Sequence, residues 1–250
     1  MATIEQEVRA LQDAIDSHES IVFFGGAGVS TESGIPDYRG EDGIDKEGPD
    51  ENGFWPEEKR EHSFMIRHPE IFYKEFKESL KTLDVKPNAT HYKLTELEKA
   101  GKLKAIVTQN IDGLHQKAGS VRVLELHGNM REAYCDVCKK RYPLDLILKD
   151  DPKDIPRCGV CGGMIRPDVV MFGEALNQKV ISEAVDAISK ADMLIIAGTS
   201  LVVYPAAGLV DYFRGDCLVL MDKQNTPRDD GADILIRHPI AEVFSRIEVL

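Results

Sequence analysis

Apolar and polar positions along the 250-residue chain alternate between two rhythms. Ile4, Val8, Leu11 and Ile15 recur at the spacing of one helix face, and Val180, Ile181, Ala184, Val185 and Ile188 form a second such stripe. Around them stand short apolar runs: Ile21-Val-Phe-Phe24, Ala105-Ile-Val-Thr108, Val121-Arg-Val-Leu-Glu-Leu126, Met193-Leu-Ile-Ile-Ala197, Leu218-Val-Leu-Met221 and Ile234-Leu-Ile236. Runs that are continuous rather than alternating are buried on both faces, and helical patterns between them predict a parallel sheet covered on each side. The expected fold class is α/β, with a doubly wound parallel sheet. Two stretches break the rhythm. Residues 40–83 begin as a Gly-, Asp- and Glu-rich loop and end in a helix over Pro69–Leu80, and residues 130–167 hold four cysteines. Together they are expected to form a smaller domain inserted twice into a larger one made of residues 1–39, 84–129 and 168–250.

Composition narrows the class. Hydrophobic residues at 42% and charged residues at 30% exclude a disordered, collagen-like or coiled-coil chain. No apolar run nears the roughly 20 residues of a membrane helix, and Glu5, Glu7, Asp13, Asp16 and Glu19 stand where a signal peptide would be basic and then apolar. A cytoplasmic protein is expected. A net charge of −12 argues against a nucleic-acid surface and for a basic or small-molecule partner. The 5 cysteines are too few for a disulfide scaffold. Cys135-x2-Cys138 and Cys158-x2-Cys161, with 19 residues between the pairs, have the spacing of two knuckles closing on one tetrahedral zinc ion. Four sulfur ligands leave no open position, so the metal would be structural. Cys217 lies in an apolar run and reads as core.

Polar chemistry gathers where the apolar runs stop. The first run leads straight into Gly25-Gly-Ala-Gly-Val-Ser-Thr-Glu-Ser-Gly-Ile-Pro-Asp-Tyr-Arg39, whose glycines let backbone approach a phosphate and whose following helix start would supply free amides. Thr31 stands at the third glycine position of the dehydrogenase fingerprint, and no acidic residue closes a second strand about 20 residues on. A dinucleotide can bind, but hydride transfer is not indicated. Thr108-Gln-Asn-Ile-Asp-Gly-Leu-His115, Glu125-Leu-His-Gly-Asn129 and Gly198-Thr-Ser200 follow three further runs. Open α/β sheets bind ligands at this carboxyl edge of their strands.

Together with the paired cysteines, these motifs resemble those of the sirtuins, the NAD-dependent protein-lysine deacylases, in the family's order from Phe23 to about Ile247. The resemblance implies a Rossmann-like sheet that binds NAD as co-substrate, a structural zinc ion ordering a small zinc-binding and helical domain, and an acyl-lysine peptide in the cleft between domains. It implies removal of an acetyl or apolar acyl group from lysine, with release of nicotinamide and O-acetyl-ADP-ribose. On the matching positions His127 is the general base, since an imidazole near neutrality can take a ribose hydroxyl proton. Asn110 and Asp112 hold the carboxamide, and Ala27, Ile35 and Ile111 form the nicotinamide pocket. Ala27, Gly28, Thr31, Tyr38 and Arg39 line the phosphates and ribose, Gln109 meets the second ribose, and Thr199 with Ser200 meets the adenine half.

The resemblance also implies that Val170-Met-Phe-Gly-Glu174 and Leu201-Val-Val-Tyr204 pair with the substrate strand through Val170, Phe172, Gly173 and Val203, Phe172 flanking the acyl-lysine tunnel. Partners are acyl-lysine proteins, without nucleic acid or membrane, and a monomer is the simplest state. His115 matches the second, non-basic histidine of the motif and buttresses the site. His91 reads as part of a helix start capped by Asn88 or Thr90, and His18, His62, His68 and His238 as solvent-facing.

Some positions depart from the family pattern. Tyr38 stands where Phe is usual, and Asp222 where many members carry Asn against the adenosine ribose; that carboxylate opposes an anionic cofactor unless Lys223 offsets it. From Asp37 to Glu61 there are 10 acidic and 4 basic residues, an excess that either steers basic peptides or only keeps a mobile lid solvated. Members taking succinyl or malonyl groups carry Tyr and Arg three residues apart, where this chain has Tyr73 and Phe76. Without the arginine a buried acyl carboxylate lacks its partner, so acetyl or apolar acyl groups are favoured. The alternatives are mono-ADP-ribosyl transfer and a non-catalytic NAD-responsive binding module. His127 together with Asn110 and Asp112 opposes both.

Overall fold

The computed structural model describes residues 2–40, 43–81, 84–148 and 155–249. In chain order the strands are β1 (Ile21–Gly25), β2 (Leu103–Thr108), β3 (Val123–Glu125), β4 (Gly128–Cys135), β5 (Arg141–Pro143), β6 (Ile165–Val169), β7 (Met193–Ala197), β8 (Cys217–Met221) and β9 (Ile234–Ile236). The helices are α1 (Ile4–Ser17), α2 (Pro56–Lys59), α3 (His62–Arg67), α4 (Pro69–Lys81), α5 (Ala89–Lys99), α6 (Leu114–Ala118), α7 (Gln178–Lys190) and α8 (Ile240–Ser245). All six apolar runs became strands of one parallel sheet, in the order β3-β2-β1-β7-β8-β9. The chain leaves β1 toward β2 on one side and returns to β7 on the other, so the strand order reverses at β1 and β7 and opens a crevice there.

Successive residues of β1 enter different cores. Ile21 and Phe23 pack with Leu11, Ile15, Leu94 and Phe244 of α1, α5 and α8, while Val22 and Phe24 pack with Ala184 and Ile188 of α7. Such two-sided burial requires the continuous apolar pattern seen in the sequence. Helix starts follow from capping. Thr3 and Gln6 make a capping box on α1, and Asn88 Oδ1 accepts from Thr90 N at 3.0 Å on α5. Among the described residues, no helix is long and apolar enough to cross a membrane.

A second, antiparallel sheet has the order β5-β4-β6. A third core joins Met65, Phe72, Tyr73 and Phe76 from α3 and α4 to Ala133, Cys135, Cys158 and Ile165 around this sheet. Tyr73 is 0% exposed and its hydroxyl donates to the Ile165 carbonyl at 2.7 Å. Thus the two segments that interrupted the parallel rhythm share one interior. Strand β4 departs immediately after His127, through Gly128 at φ +76°; a Cβ there would lie 1.9 Å from the Asp168 carbonyl oxygen. Only glycine fits that crossing. Gly128→Ala is expected to destabilise by roughly 3–5 kcal/mol, about 10 °C in melting temperature. A melting temperature within 2 °C of the parent, as an order-of-magnitude limit of no effect, would contradict the crossing.

Candidate active site

Register brings the motifs together. Gly25, Thr108, Glu125, Ala197, Met221 and Ile236 are successive partners across the parallel sheet. The ladder continues one step further, with Gln109 N donating to Gly25 O, Leu126 N to Thr108 O, Gly26 N to Ala197 O and Gly198 N to Met221 O. Residues that follow these strands therefore emerge on one edge.

Two short 3₁₀ turns, Ala27–Val29 and Thr31–Ser33, replace the helix start expected after β1. Their glycines answer to another loop: a Cβ on Gly28 would sit 2.7 Å from Gly198 Cα, and Gly28 N donates to Gly198 O at 2.9 Å. The Gly28 amide is thus engaged within the protein. Ser30 is the unforeseen centre of this loop. The Asn110 side-chain amide donates to Gly26 O at 3.0 Å and to Ser30 Oγ at 3.2 Å, and Ser30 Oγ donates to Asp112 Oδ2 at 2.7 Å. Asp112 Oδ1 accepts from Leu114 N, which fixes the carboxylate at the start of α6. Asn88, read only as a cap, also donates through its side chain to Val29 O and Ser33 Oγ and so braces the same loop.

His127 Nδ1 lies 2.9 Å from the Gln109 carbonyl oxygen. A carbonyl only accepts, so Nδ1 carries the proton and Nε2 keeps its lone pair. Burial pushes this imidazole below its ordinary range, with the Gln109 bond opposing the shift. His127 is therefore a neutral imidazole at pH 7 with a free Nε2 lone pair. Behind it, His115 is buried against His91, their ring centroids 4.7 Å apart, with Phe23 edge-on. Burial, then the neighbouring His91, drives His115 far down; burial lowers His91 to about 4 despite Asp112. This pair is uncharged packing.

The dinucleotide expected from the sequence finds fitting groups along this edge. Gln109 Nε2 is buried without a partner among the described residues, while Gln109 Oε1 faces Thr199 Oγ1 at 3.4 Å. Ala27, Ile35 and Ile111 are half-buried beside the Ser30 network, and Ser200 is half-buried after β7. Thr31 Oγ1 donates back to Gly28 O. Asp222 follows β8; burial pushes its carboxyl up, and the cation acting on it is Arg237 rather than Lys223. Tyr38 and Arg39 stand on the acidic loop, Arg39 Nε 3.7 Å from Asp45.

The Val170–Glu174 stretch begins at His127 itself, since Val170 N donates to His127 O at 2.9 Å. Fully buried Arg166, which the sequence did not single out, holds the stretch: its guanidinium donates to both Glu174 oxygens and to Val169 O, and Glu174 accepts from Met171 N. Phe172 N donates to Arg60 O, so Gly173 is the turn residue at φ +88° beside an exposed Phe172 ring. Val203 accepts from Ala207 N within its own turn and makes no hydrogen bond to this stretch among the described residues.

One expectation needs correction. His18, His62, His68 and His238 are half-buried rather than solvent-facing: His18 faces Asp216, His62 faces Asp136, His68 packs between Phe54 and Phe64, and His238 meets buried Glu7. The charges of the acidic loop are partly paired. Asp45 pairs with Arg60 and Asp50 with Lys59, while Glu41 and Asp42 lie outside the described residues.

All four cysteine sulfurs lie within 4.8 Å of one another, with Cys135–Cys161 at 3.4 Å and Cys138–Cys158 at 3.6 Å. Tetrahedral Zn–S bonds of about 2.3 Å place sulfurs about 3.8 Å apart, so the set fits zinc. Cys138 N and Val160 N donate to sulfur, and the Tyr142 hydroxyl lowers the Cys158 thiol to about 6. These donors favour thiolates at Cys135 and Cys158, whereas the neighbouring sulfurs push the Cys161 thiol up. The neighbouring His62, Asp136 and Glu174 group is a poorer metal site because the Arg166 guanidinium already occupies both carboxylates.

Fold and site define an open α/β dinucleotide-binding protein with a four-cysteine lobe. Residues 26–205 match the Sir2 family, and the chain belongs to that family. It is 50% identical over 245 residues to an NAD-dependent protein deacetylase of Clostridium perfringens, covering 98% of this chain and 99% of that one. Two solved Sir2 structures, each 39% identical with 96% of both chains covered, superpose with TM-scores of 0.85 and 0.83; the first is described with deacetylated p53 peptide and 3'-O-acetyl-ADP-ribose, the second with p53 peptide and NAD+.

Elemental analysis should find one zinc per chain, and Cys158→Ala should release it and melt the β4–β6 lobe. Zinc-free protein that keeps this lobe folded would contradict the assignment.

Proposed function

We infer that the protein is an NAD-dependent protein-lysine deacetylase. The carrying observation is one half-buried histidine, His127, with its tautomer set by a backbone carbonyl and its free nitrogen at the strand-end edge. When bound, NAD supplies an electrophilic ribose carbon, a nicotinamide leaving group and the ADP-ribose that accepts the acyl group. Asn110 and Asp112, joined through Ser30, are placed to hold the carboxamide end; Ala27, Ile35 and Ile111 wall it. Gln109 offers its unpartnered Nε2 to a ribose hydroxyl. Gly28, Thr31, Tyr38 and Arg39 contribute to the phosphate and ribose wall, and Thr199, Ser200 and Asp222 to the adenosine half. His127 Nε2 takes the hydroxyl proton that lets the ribose oxygen attack the acyl carbon.

The peptide is proposed to lie between the Val170–Glu174 stretch and Leu201–Tyr204, adding a strand through Val170, Gly173 and Val203, with the Phe172 ring against the acyl-lysine. Tyr73 offers no hydroxyl to an acyl carboxylate because it bonds Ile165 O, which supports acetyl or apolar acyl groups. Basic protein partners suit the net charge of −12. The four thiols arranged for metal rather than as disulfides support a reducing, cytoplasmic setting.

His127→Ala should lower deacetylation of an acetyl-lysine peptide by roughly a hundredfold or more, with NAD affinity changed little. A variant working near the parent rate would remove His127 from the chemistry. Because a base must be neutral and burial lowers this group, the acid limb of kcat/KM should fall below about 6.5, the ordinary histidine value. An inflection above that value would contradict the buried tautomer.

A further inference from the structure

Arg60 stands where the two proposed binding loops meet. Its guanidinium lies 4.6 Å from the ring centroid of Tyr38, on the cofactor side, and 5.9 Å from that of Phe172, on the acyl-lysine side. One cation thus touches an aromatic ring from each wall of the cleft. The arginine is held at both ends. Its side chain pairs with Asp45, whose own amide donates to the Tyr38 carbonyl at 2.9 Å and whose second carboxylate oxygen faces Arg39. Its backbone carbonyl accepts from Phe172 N at 3.0 Å, and His62 N donates to Phe172 O at 3.0 Å, so residues 60–62 run as a short parallel bridge beside Phe172. Arg60 Nε is buried and unpartnered. The adjacent cation cannot replace it, since Lys59 pairs with Asp50 and Glu75.

We propose that Arg60 is a positioning residue that couples cofactor binding to acyl-lysine binding. Cofactor contact at Tyr38 fixes its ring and, through the Asp45 amide on the Tyr38 carbonyl, the Asp45 carboxylate; these hold the guanidinium, and the guanidinium fixes the Phe172 ring, which is 44% exposed. Coupling of this kind is reciprocal, so bound acyl-peptide fixes the Tyr38 ring through Arg60 in return. The planar fork is required: an ammonium can pair with Asp45 but cannot lie flat against one ring while reaching the other. The inference rests on the deacetylase reading and names the residue through which its two ligands communicate.

The test measures affinity for a fluorescent acetyl-lysine peptide by anisotropy, with and without ADP-ribose, which lacks nicotinamide and cannot react. Trp55, the only tryptophan, is half-exposed at the start of α2, which leads into Arg60, and its emission reports on that segment. In the parent, ADP-ribose should tighten peptide binding about 5-fold or more and shift Trp55 emission. In Arg60→Met each ligand should still bind alone, but the coupling should fall to about 2-fold or less, and Arg60→Lys should not restore it. Asp45→Asn reaches the same contact from its other end; it should weaken the coupling in the same direction, and it carries the test if Arg60→Met fails to fold. Parent-like coupling in the folded variant, or no coupling in the parent, would overturn the proposal. A parent that binds neither ADP-ribose nor acetyl-peptide would instead overturn the deacetylase reading itself.

Discussion

Parallel strands in register must end together, and in this protein that constraint builds the site. Hydrogen-bond pairing from β3 through β1 to β9 sets Glu125, Thr108, Gly25, Ala197, Met221 and Ile236 on one row. Each chain then has to leave the sheet at the same edge, where its next backbone groups have lost part of their ladder. Segments far apart in sequence, such as Gly26 and Asn110 at 84 positions, complete one another's hydrogen bonds. The close crossing of Gly28 over Gly198 belongs to this economy of space: two strand-end loops can meet only where neither carries a Cβ. A loop that resembles a phosphate cradle is first of all a loop that fits beside its neighbour.

Electrostatics then separate the histidines by role. His127 makes one hydrogen bond to a carbonyl, which fixes its tautomer, and is only partly buried. His91 and His115 are sealed beneath, and desolvation keeps them neutral. The same logic governs charge at the lobe junction. Arg166 is wholly buried because Glu174 and the Val169 carbonyl meet it, and that buried pairing shapes the stretch carrying Phe172. Removing either partner would strand a charge in the interior.

The parallel sheet was legible because its strands are buried on both faces and so read as uninterrupted apolar runs. The cysteine spacing was legible because a tetrahedral site imposes a short-range rule. The antiparallel sheet was not: β4 reads Gly128-Asn-Met-Arg-Glu-Ala-Tyr-Cys135, with polar residues on an open face, and β5 spans only 3 residues. His127 was legible as part of a motif resembling a known family's. Ser30, Arg60 and Arg166 were not singled out, and Asn88 was read only as a cap, since each acquires its further role from a partner brought close by the fold, as Ser30 does from Asp112. The four histidines taken as solvent-facing failed for the same reason. Nothing local to His62 signals the Asp136 carboxylate that it faces.

Acyl removal coupled to breakdown of NAD at the strand-end edge is tested most directly by product stoichiometry. Purified protein is incubated with NAD, with and without an acetyl-lysine peptide, and nicotinamide, free lysine and acylated ADP-ribose are quantified by mass spectrometry. Nicotinamide is expected to appear only with the acetylated peptide, in equal amount to deacetylated lysine and O-acetyl-ADP-ribose. Nicotinamide release that ignores the acetyl group, with ADP-ribose found on protein instead, would contradict it.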